Sequence, residues 1–350
     1  MRVPLWFGKP AHSSALLTEL AIPPAARSAH RTRLILCLAS ALVFASTAVL
    51  ARAQDYTSIV VFGDSLSDTG NVAHLSLMKY HVPIPGPAAD YTLGRFTDGA
   101  DTLPAAHNYF GVWIEQLAAM FPARPPVVDS LDGGTNYAYG FATTGRGTSV
   151  LTFTGTTLSV NVDNIGRQIS DYLSTHPRIT DRTLFVVWGG AIDVLDATSP
   201  DQVFNAAIQQ VLNVQRLIDA GATRILVANL PPLGLTPRLN GTPSQAAIGT
   251  QGAGLFNDVL AFGLSILRNF SFGRRHPHIF QLDTFSLLNQ VVAAPADFSL
   301  TNVTGMSRGN FTVNPDSWLF WDDLHPTTRG HNILAVTADR LLLEDEAEQH

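Results

Sequence analysis

The sequence predicts an α/β fold built around a parallel sheet, and three observations point that way. Short, nearly continuous apolar runs recur at Ile59 to Phe62, Leu184 to Trp188 and Arg224 to Asn229, with His278 to Leu282 as a weaker fourth. Runs of that kind suit strands covered on both faces. Segments of helical periodicity lie between and after them, and strands that alternate with helices assemble into parallel sheets.

Taken from the N-terminus, the first 53 residues read as a separate extension and signal peptide. Arg27, Arg31 and Arg33 precede an apolar run from Leu34 to Leu50, and Ala51-Arg52-Ala53 supplies the small-x-small pattern of a signal-peptidase site. Cleavage there would make Gln54 the first mature residue and the protein secreted or periplasmic. A membrane anchor is the competing reading, since the run falls at the low edge of what spans a bilayer. Residues 54–350 are then expected to form a single domain, with ample length for one large core.

Within that domain, Ile59 to Phe62 leads into Gly63-Asp64-Ser65-Leu66-Ser67-Asp68-Thr69-Gly70-Asn71, a strand that breaks into a small polar turn. Val82 to Asn108, rich in Pro, Gly and Asp, reads as surface loops near the site. Gln202 to Ala220 sets Val203, Ala207, Val211, Val214 and Ile218 at helical spacing and stops at Gly221. Gly254 to Phe270 and Arg329 to Leu343 are two further amphipathic helices.

Charge and cysteine usage narrow the function. The whole chain carries a formal net charge of −6. Cleavage would remove the six basic residues of the N-terminal extension, Arg2, Lys9, Arg27, Arg31, Arg33 and Arg52, with one acidic residue, Glu19, leaving Lys79 as the only lysine and a more acidic domain. A surface of that sign repels phosphate backbones, which excludes nucleic acid as a partner. The single cysteine, Cys37, lies in the signal segment, so stability rests on packing rather than disulfides. His276 and His278 have no Glu or second His at metal-ligand spacing on a shared helix, and no metal site is expected.

Ser65 sits where open α/β sheets place ligands, at the C-terminal end of a strand. A serine hydroxyl needs a base to take its proton, and an imidazole held by a carboxylate is the usual device. Asp322-Asp323-Leu324-His325-Pro326 offers both groups in one turn. An Asp three residues before a His can fold back onto Nδ1 and leave Nε2 free for the serine. Asp323 is the alternative to Asp322 for that role. His331 reads as a structural or surface residue of the last helix. Gly305-Met306-Ser307-Arg308-Gly309 matches another hydrolase elbow, but that elbow must follow a buried strand and open a helix, whereas both flanks here read as loops. Asn240, Asn269, Asn302 and Asn310 begin glycosylation sequons.

Six blocks, in order, give the chain a resemblance to a known family. They are Phe62 to Asn71, Gly94-Arg95-Phe96-Thr97-Asp98-Gly99, Asn136-Tyr137-Ala138-Tyr139-Gly140, Trp188 to Asp193, Leu230-Pro231-Pro232-Leu233-Gly234 and Phe320 to Thr327. With these the chain resembles the SGNH/GDSL hydrolases, in particular their secreted lipase, phospholipase and haemolysin-like branch. The resemblance implies a three-layer α/β/α sandwich with a central parallel sheet, SGNH-hydrolase or flavodoxin-like. It implies hydrolysis or transfer of acyl groups from esters, with no cofactor. It assigns Ser65 as nucleophile, His325 as general base and later acid, and Asp322 as the carboxylate that orients the imidazole.

The resemblance also exposes two departures, both at the oxyanion hole. The family holds the tetrahedral oxygen with the nucleophile's own N–H, a glycine N–H from the second block and an asparagine side chain in a Gly-x-Asn-Asp block. Here that last block is Gly190-Ala191-Ile192-Asp193, and Ile192 has no side-chain donor. Phe141 stands where the second-block glycine would, so the expected hole consists of Ser65, Gly140 and Phe141. The backbone N–H of Phe141 serves only in a φ/ψ that phenylalanine tolerates poorly. Asn136 is a candidate replacement donor. The expected function is a secreted serine lipase or esterase with an atypical oxyanion hole, acting on a small-molecule or lipid ester. The alternatives are a weak or inactive lipid- or carbohydrate-binding protein on the same scaffold, and a carbohydrate acetylesterase. Aromatic and aliphatic residues between Val82 and Phe110, with Phe141, are candidates to line the acyl or sugar pocket.

Overall fold

The computed structural model describes residues 56–102, 108–121, 127–176, 179, 182–269 and 276–348. The N-terminal extension and its signal segment lie outside these residues, as does Phe270. Four strands, β1 (Ser58–Gly63), β4 (Thr183–Trp188), β5 (Arg224–Ala228) and β6 (His278–Leu282), form a parallel sheet in the order β1-β4-β5-β6. On the other side of β1, residues 135–139 run alongside it: Val61 N–H donates to Thr135 O, and Tyr137 and Tyr139 N–H donate to Val61 O and Gly63 O. The strand order therefore reverses at β1, which makes its C-terminal end a topological switch point.

Alternation along the strands sorts the core into two halves. Ile59, Val61, Val186, Trp188, Leu226 and Phe280 face one layer, made by helices α2 (Trp113–Ala119), α7 (Thr284–Ala293) and α8 (Thr328–Glu348). Val60, Phe62, Phe185, Val187, Ile225 and Val227 face the other, made by α3 (Ile165–Thr175), α5 (Pro200–Asp219) and α6 (Pro243–Asn269). The result is the expected three-layer α/β/α sandwich with a central parallel sheet. Trp113, Trp188, Phe62 and Phe185 are fully buried. Each contributes about 1.5–3 kcal/mol or more by leaving water, so this core needs no disulfide.

Two further helices, α1 (Asn71–Tyr80) and α4 (Ala191–Asp196), begin beyond the ends of β1 and β4. A hairpin of β2 (Thr148–Thr152) and β3 (Ser159–Asp163) and a parallel pair of β7 (Asn302–Met306) and β8 (Trp318–Phe320) complete the described elements. Helix α6 starts eleven residues earlier than its amphipathic pattern suggests. Gly249 and Gly252 fall in the unanticipated first turns and are contact points: a side chain at Gly249 would strike Leu239, and one at Gly252 would press on Val194. The flanks of the second Gly-x-Ser-x-Gly pattern also differ from expectation, since β7 precedes Ser307. No helix follows it, and Ser307 is buried with its hydroxyl on Phe320 O.

Candidate active site

Strand β1 closes on Gly63, where nothing larger fits. A Cβ there would lie 2.6 Å from Trp188 O on the neighbouring strand. The side chain of Gln168 grips the same glycine, accepting from its N–H and donating to its carbonyl, both at 2.9 Å. The chain then turns on Asp64, whose carbonyl accepts from Ser67 and Asp68 N–H and whose Oδ1 accepts from Leu66 N–H. Ser65 is left at the crest of that turn, above the switch point.

The opposing group comes from a loop between β8 and α8. Trp321 N–H donates to His325 O and closes it at 2.8 Å. Within the loop, Asp322 Oδ1 accepts from Leu324 N–H at 2.8 Å and His325 N–H at 2.7 Å, a side-chain turn that folds the carboxylate back. Asp322 Oδ2 then meets His325 Nδ1 at 2.7 Å, and His325 Nε2 meets Ser65 Oγ at 2.8 Å. All three residues are buried. Burial works against ionisation of Asp322, but the adjacent His325 and the hydrogen bonds from His325 and Tyr91 outweigh it and hold the carboxyl well below the usual carboxylate range. Asp323 lies elsewhere: it is half exposed and forms a two-pronged pair with Arg238 at 3.0 and 2.9 Å.

Phe96 stacks on the imidazole of His325 with ring centroids 5.2 Å apart. Tyr91, from the same loop, donates its hydroxyl to Asp322 Oδ2 at 2.6 Å. Nothing in the sequence distinguished Tyr91, because a tyrosine in a Pro- and Gly-rich loop has no spacing relation to a residue 231 positions away.

The expected oxyanion donors separate into two groups. The N–H groups of Ser65 and Phe141 have no intramolecular acceptor among the described residues. Phe141 holds φ 70°, so phenylalanine does occupy the left-handed conformation that glycine would take there. Gly140 departs from expectation, since its N–H is already donated to Asp68 Oδ2 at 2.9 Å. Glycine is needed at 140 for space instead, because the ring of Phe96 fills the volume of a side chain. Asn136 is also committed: its Nδ2 donates to Ser67 O and Thr69 Oγ1 and its Oδ1 accepts from Ala138 N–H, so it is no substitute donor. Ile192 is buried in the first turn of α4.

Burial, opposed only in part by hydrogen bonds, raises Asp64, Asp68 and Asp193 to about 6. Asp68 caps α1, accepting from Gly70, Asn71 and Val72 N–H. Asp193 accepts from Thr144 N–H and Oγ1. His331 lies inside the first turns of α8, fully buried, and neither ring nitrogen has a hydrogen-bond partner among the described residues. Burial lowers it to about 3. It is therefore a core residue rather than a surface one.

An apolar pocket opens at Ser65 and His325. Trp188, Ile192, Leu230, Leu233, Leu287, Leu288, Val291, Leu319 and Ile333 form its walls. These residues come from the ends of β4 and β5 and from α4, α7, β8 and α8. Residues from the loops between Val82 and Phe110 do not line it, nor does Phe141, which packs with Tyr139, Phe153 and Val160 beside the hairpin. The loop aromatics are drawn to His325 and Asp322, leaving the helices to make the pocket. No group of three potential metal ligands occurs among the described residues. No described helix is long and apolar enough to cross a membrane.

The α/β sandwich, taken with the family match, makes this an enzyme that acts on ester bonds. The chain belongs to the GDSL-like Lipase/Acylhydrolase family, whose model matches residues 59–336. It is 28% identical to the phosphatidylcholine-sterol acyltransferase of Aeromonas hydrophila, over 81% of this chain and 89% of that one. It is 30% identical to esterase EstA of Pseudomonas aeruginosa over 85% of this chain and 48% of that protein. The chain thus spans about half the length of some relatives. Among solved structures, a member of the lipolytic G-D-S-L family from Veillonella parvula aligns with TM-score 0.40 and 12% identity, covering 81% of this chain and 96% of that one.

Proposed function

We propose that the chain is a serine esterase working through an acyl-enzyme, with Ser65 as nucleophile, His325 as base and Asp322 as the group that orients the imidazole. The observation that carries this reading is the unbroken run of hydrogen bonds from Asp322 Oδ2 through His325 to Ser65 Oγ, at 2.7 and 2.8 Å. In the first step Ser65 Oγ attacks the ester carbonyl carbon while its proton passes to His325 Nε2. The carbonyl oxygen becomes an oxyanion, held by the N–H groups of Ser65 and Phe141. Collapse expels the alkoxide, which takes the proton from His325. A water, deprotonated by the same nitrogen, then releases the acid and restores Ser65.

The hole in this proposal has two amide donors, with Ile192 in place of a third. One donor is worth about 10²–10³ in turnover, a small part of a full enzymatic acceleration, so the enzyme is slow rather than inert. The apolar pocket beside Ser65 favours an aliphatic acyl chain over an acetyl group, which supports lipid esters ahead of acetylated carbohydrates. The acyltransferase activity for which the Aeromonas relative is named supports an acceptor alcohol as the alternative to water in the second step.

Hydrolysis of p-nitrophenyl esters by the purified protein, with Ser65→Ala as control, tests the reading. Loss of nitrophenol release in Ser65→Ala is expected, and equal slow release by both proteins overturns it. Each methylene added to the acyl chain should raise kcat/KM about fourfold until the pocket is full, from the roughly 0.8 kcal/mol gained on burying one such group. Export is part of the proposal, supported by the basic flank, the apolar run Leu34 to Leu50 and Ala51-Arg52-Ala53. N-terminal sequencing of the secreted or periplasmic protein should begin at Gln54.

A further inference from the structure

We propose that Tyr91 is a positioning residue of the site, a fourth member of the hydrogen-bonded chain that fixes the Asp322 carboxylate and tunes the basicity of His325. This rests on the assignment of Ser65, His325 and Asp322 above. Four donors converge on Asp322: Leu324 N–H and His325 N–H on Oδ1, and His325 Nδ1 and the Tyr91 hydroxyl on Oδ2. Two oxygens offer about four acceptor sites, so the carboxylate is saturated and cannot rotate without breaking a bond. Tyr91 binds the same oxygen as the imidazole. Its hydroxyl draws charge from Oδ2, which is the charge that stabilises a protonated His325.

The hydroxyl is held in place from behind. The Arg308 guanidinium lies 4.5 Å from the centre of the Tyr91 ring, and its Nε donates to Ala89 O at 3.0 Å. Arg308 N–H donates to Trp321 O at 2.7 Å, one residue before Asp322. The segment that imitates a second nucleophile elbow is thus a brace joining the Tyr91 loop to the Asp322 loop. Phe96 meets the Tyr91 ring edge-on, with centroids 6.3 Å apart. Burial first, and then the charge of Asp322, raise Tyr91 well above the ordinary tyrosine range despite Arg308, so the group is a proton donor at every working pH. The other charged or titratable groups around this cluster are Asp64, Asp323 with its partner Arg238, and the buried His331.

Tyr91→Phe tests the proposal, since the ring and its stacking stay and only the hydroxyl goes. With p-nitrophenyl butyrate we expect kcat to fall about tenfold, equivalent to about 1.4 kcal/mol, with KM within about twofold of wild type. The acid limb of the pH profile should move to higher pH, because the carboxylate regains the charge shared with the hydroxyl. The imidazole resonance of His325, followed by NMR titration, should move in the same direction. Unchanged kcat, acid limb and resonance would overturn the proposal and leave Tyr91 as loop packing. Should Ser65→Ala prove as active as wild type, the nucleophile assignment fails separately. The NMR titration then decides alone: a shifted His325 resonance supports the link through Asp322, and an unshifted one overturns it.

Discussion

The ring of Phe96 stacks on His325 and at the same time fills the space that a side chain at residue 140 would occupy. The glycine of the second block and the imidazole of the last block are therefore coupled through an aromatic wedge. Gly140→Ala should push Phe96 into His325, at an overpacking cost of about 1–3 kcal/mol. We expect lower melting temperature and about tenfold lower kcat, with partial recovery of both in the Gly140→Ala, Phe96→Leu double variant. Kinetics and calorimetry on the four proteins check it, and additive losses would argue against the wedge.

Phe141 holds a left-handed backbone without being glycine, a conformation that costs about 1–3 kcal/mol in such residues. In the proposed oxyanion hole its N–H can serve the substrate only in that conformation. Phe141→Gly should keep kcat within about threefold, because glycine adopts the same φ freely. Phe141→Val, whose branched side chain resists it, should lose about tenfold or more. Equal activity in the two variants would remove residue 141 from the oxyanion hole.

In the proposed hole, Ile192 stands where the family resemblance places a side-chain amide. Ile192→Asn should raise kcat on acetate and butyrate esters by up to about 10². The measurement is initial-rate kinetics with saturating short-chain ester. Unchanged or reduced turnover would mean that two amides already suffice, with Ile192 acting as a wall of the acyl pocket.

His331 must stay neutral in the fold, with a folded value of about 3 against 6.5 in the unfolded chain. The unfolded state therefore binds more protons below pH 6.5, so this residue's contribution to stability is complete above that pH and is lost as pH falls towards 3. Asp64, Asp68 and Asp193, raised from 3.8 to about 6, act with the opposite sign: their contribution is complete below about 3.8 and is lost as pH rises through 6. His331→Leu isolates the histidine. The melting temperature of the variant minus that of wild type should grow steadily from pH 7 to pH 4. A difference independent of pH would contradict this.

Much of the fold was legible because its signals are local. The four sheet strands announce themselves as short branched apolar runs, and α5 and α8 as periodic stripes ended by glycine or begun after proline. The start of α6 was not legible because its first turns carry Gly249 and Gly252, whose close contacts with Leu239 and Val194 exist only in the fold. Ser65, Asp322 and His325 could be singled out since each lies in a short motif with chemical meaning. Tyr91, Phe96 and the helices that wall the pocket could not, because their roles depend on which distant loops meet, and sequence spacing does not encode that. Gly140 was misread as a donor because a motif reveals the residue but not where its N–H points.

The two bonding partners Ser65 and His325 are separated by 260 positions along the chain. One sits after the first strand of the sheet and the other just before the last helix. A ribosome-bound polypeptide thus exposes its proposed nucleophile early but lacks the base until translation is nearly over. Partial products cut short before the final loop would lack the base of the proposed reaction, so ester cleavage is expected only once the whole domain has been made.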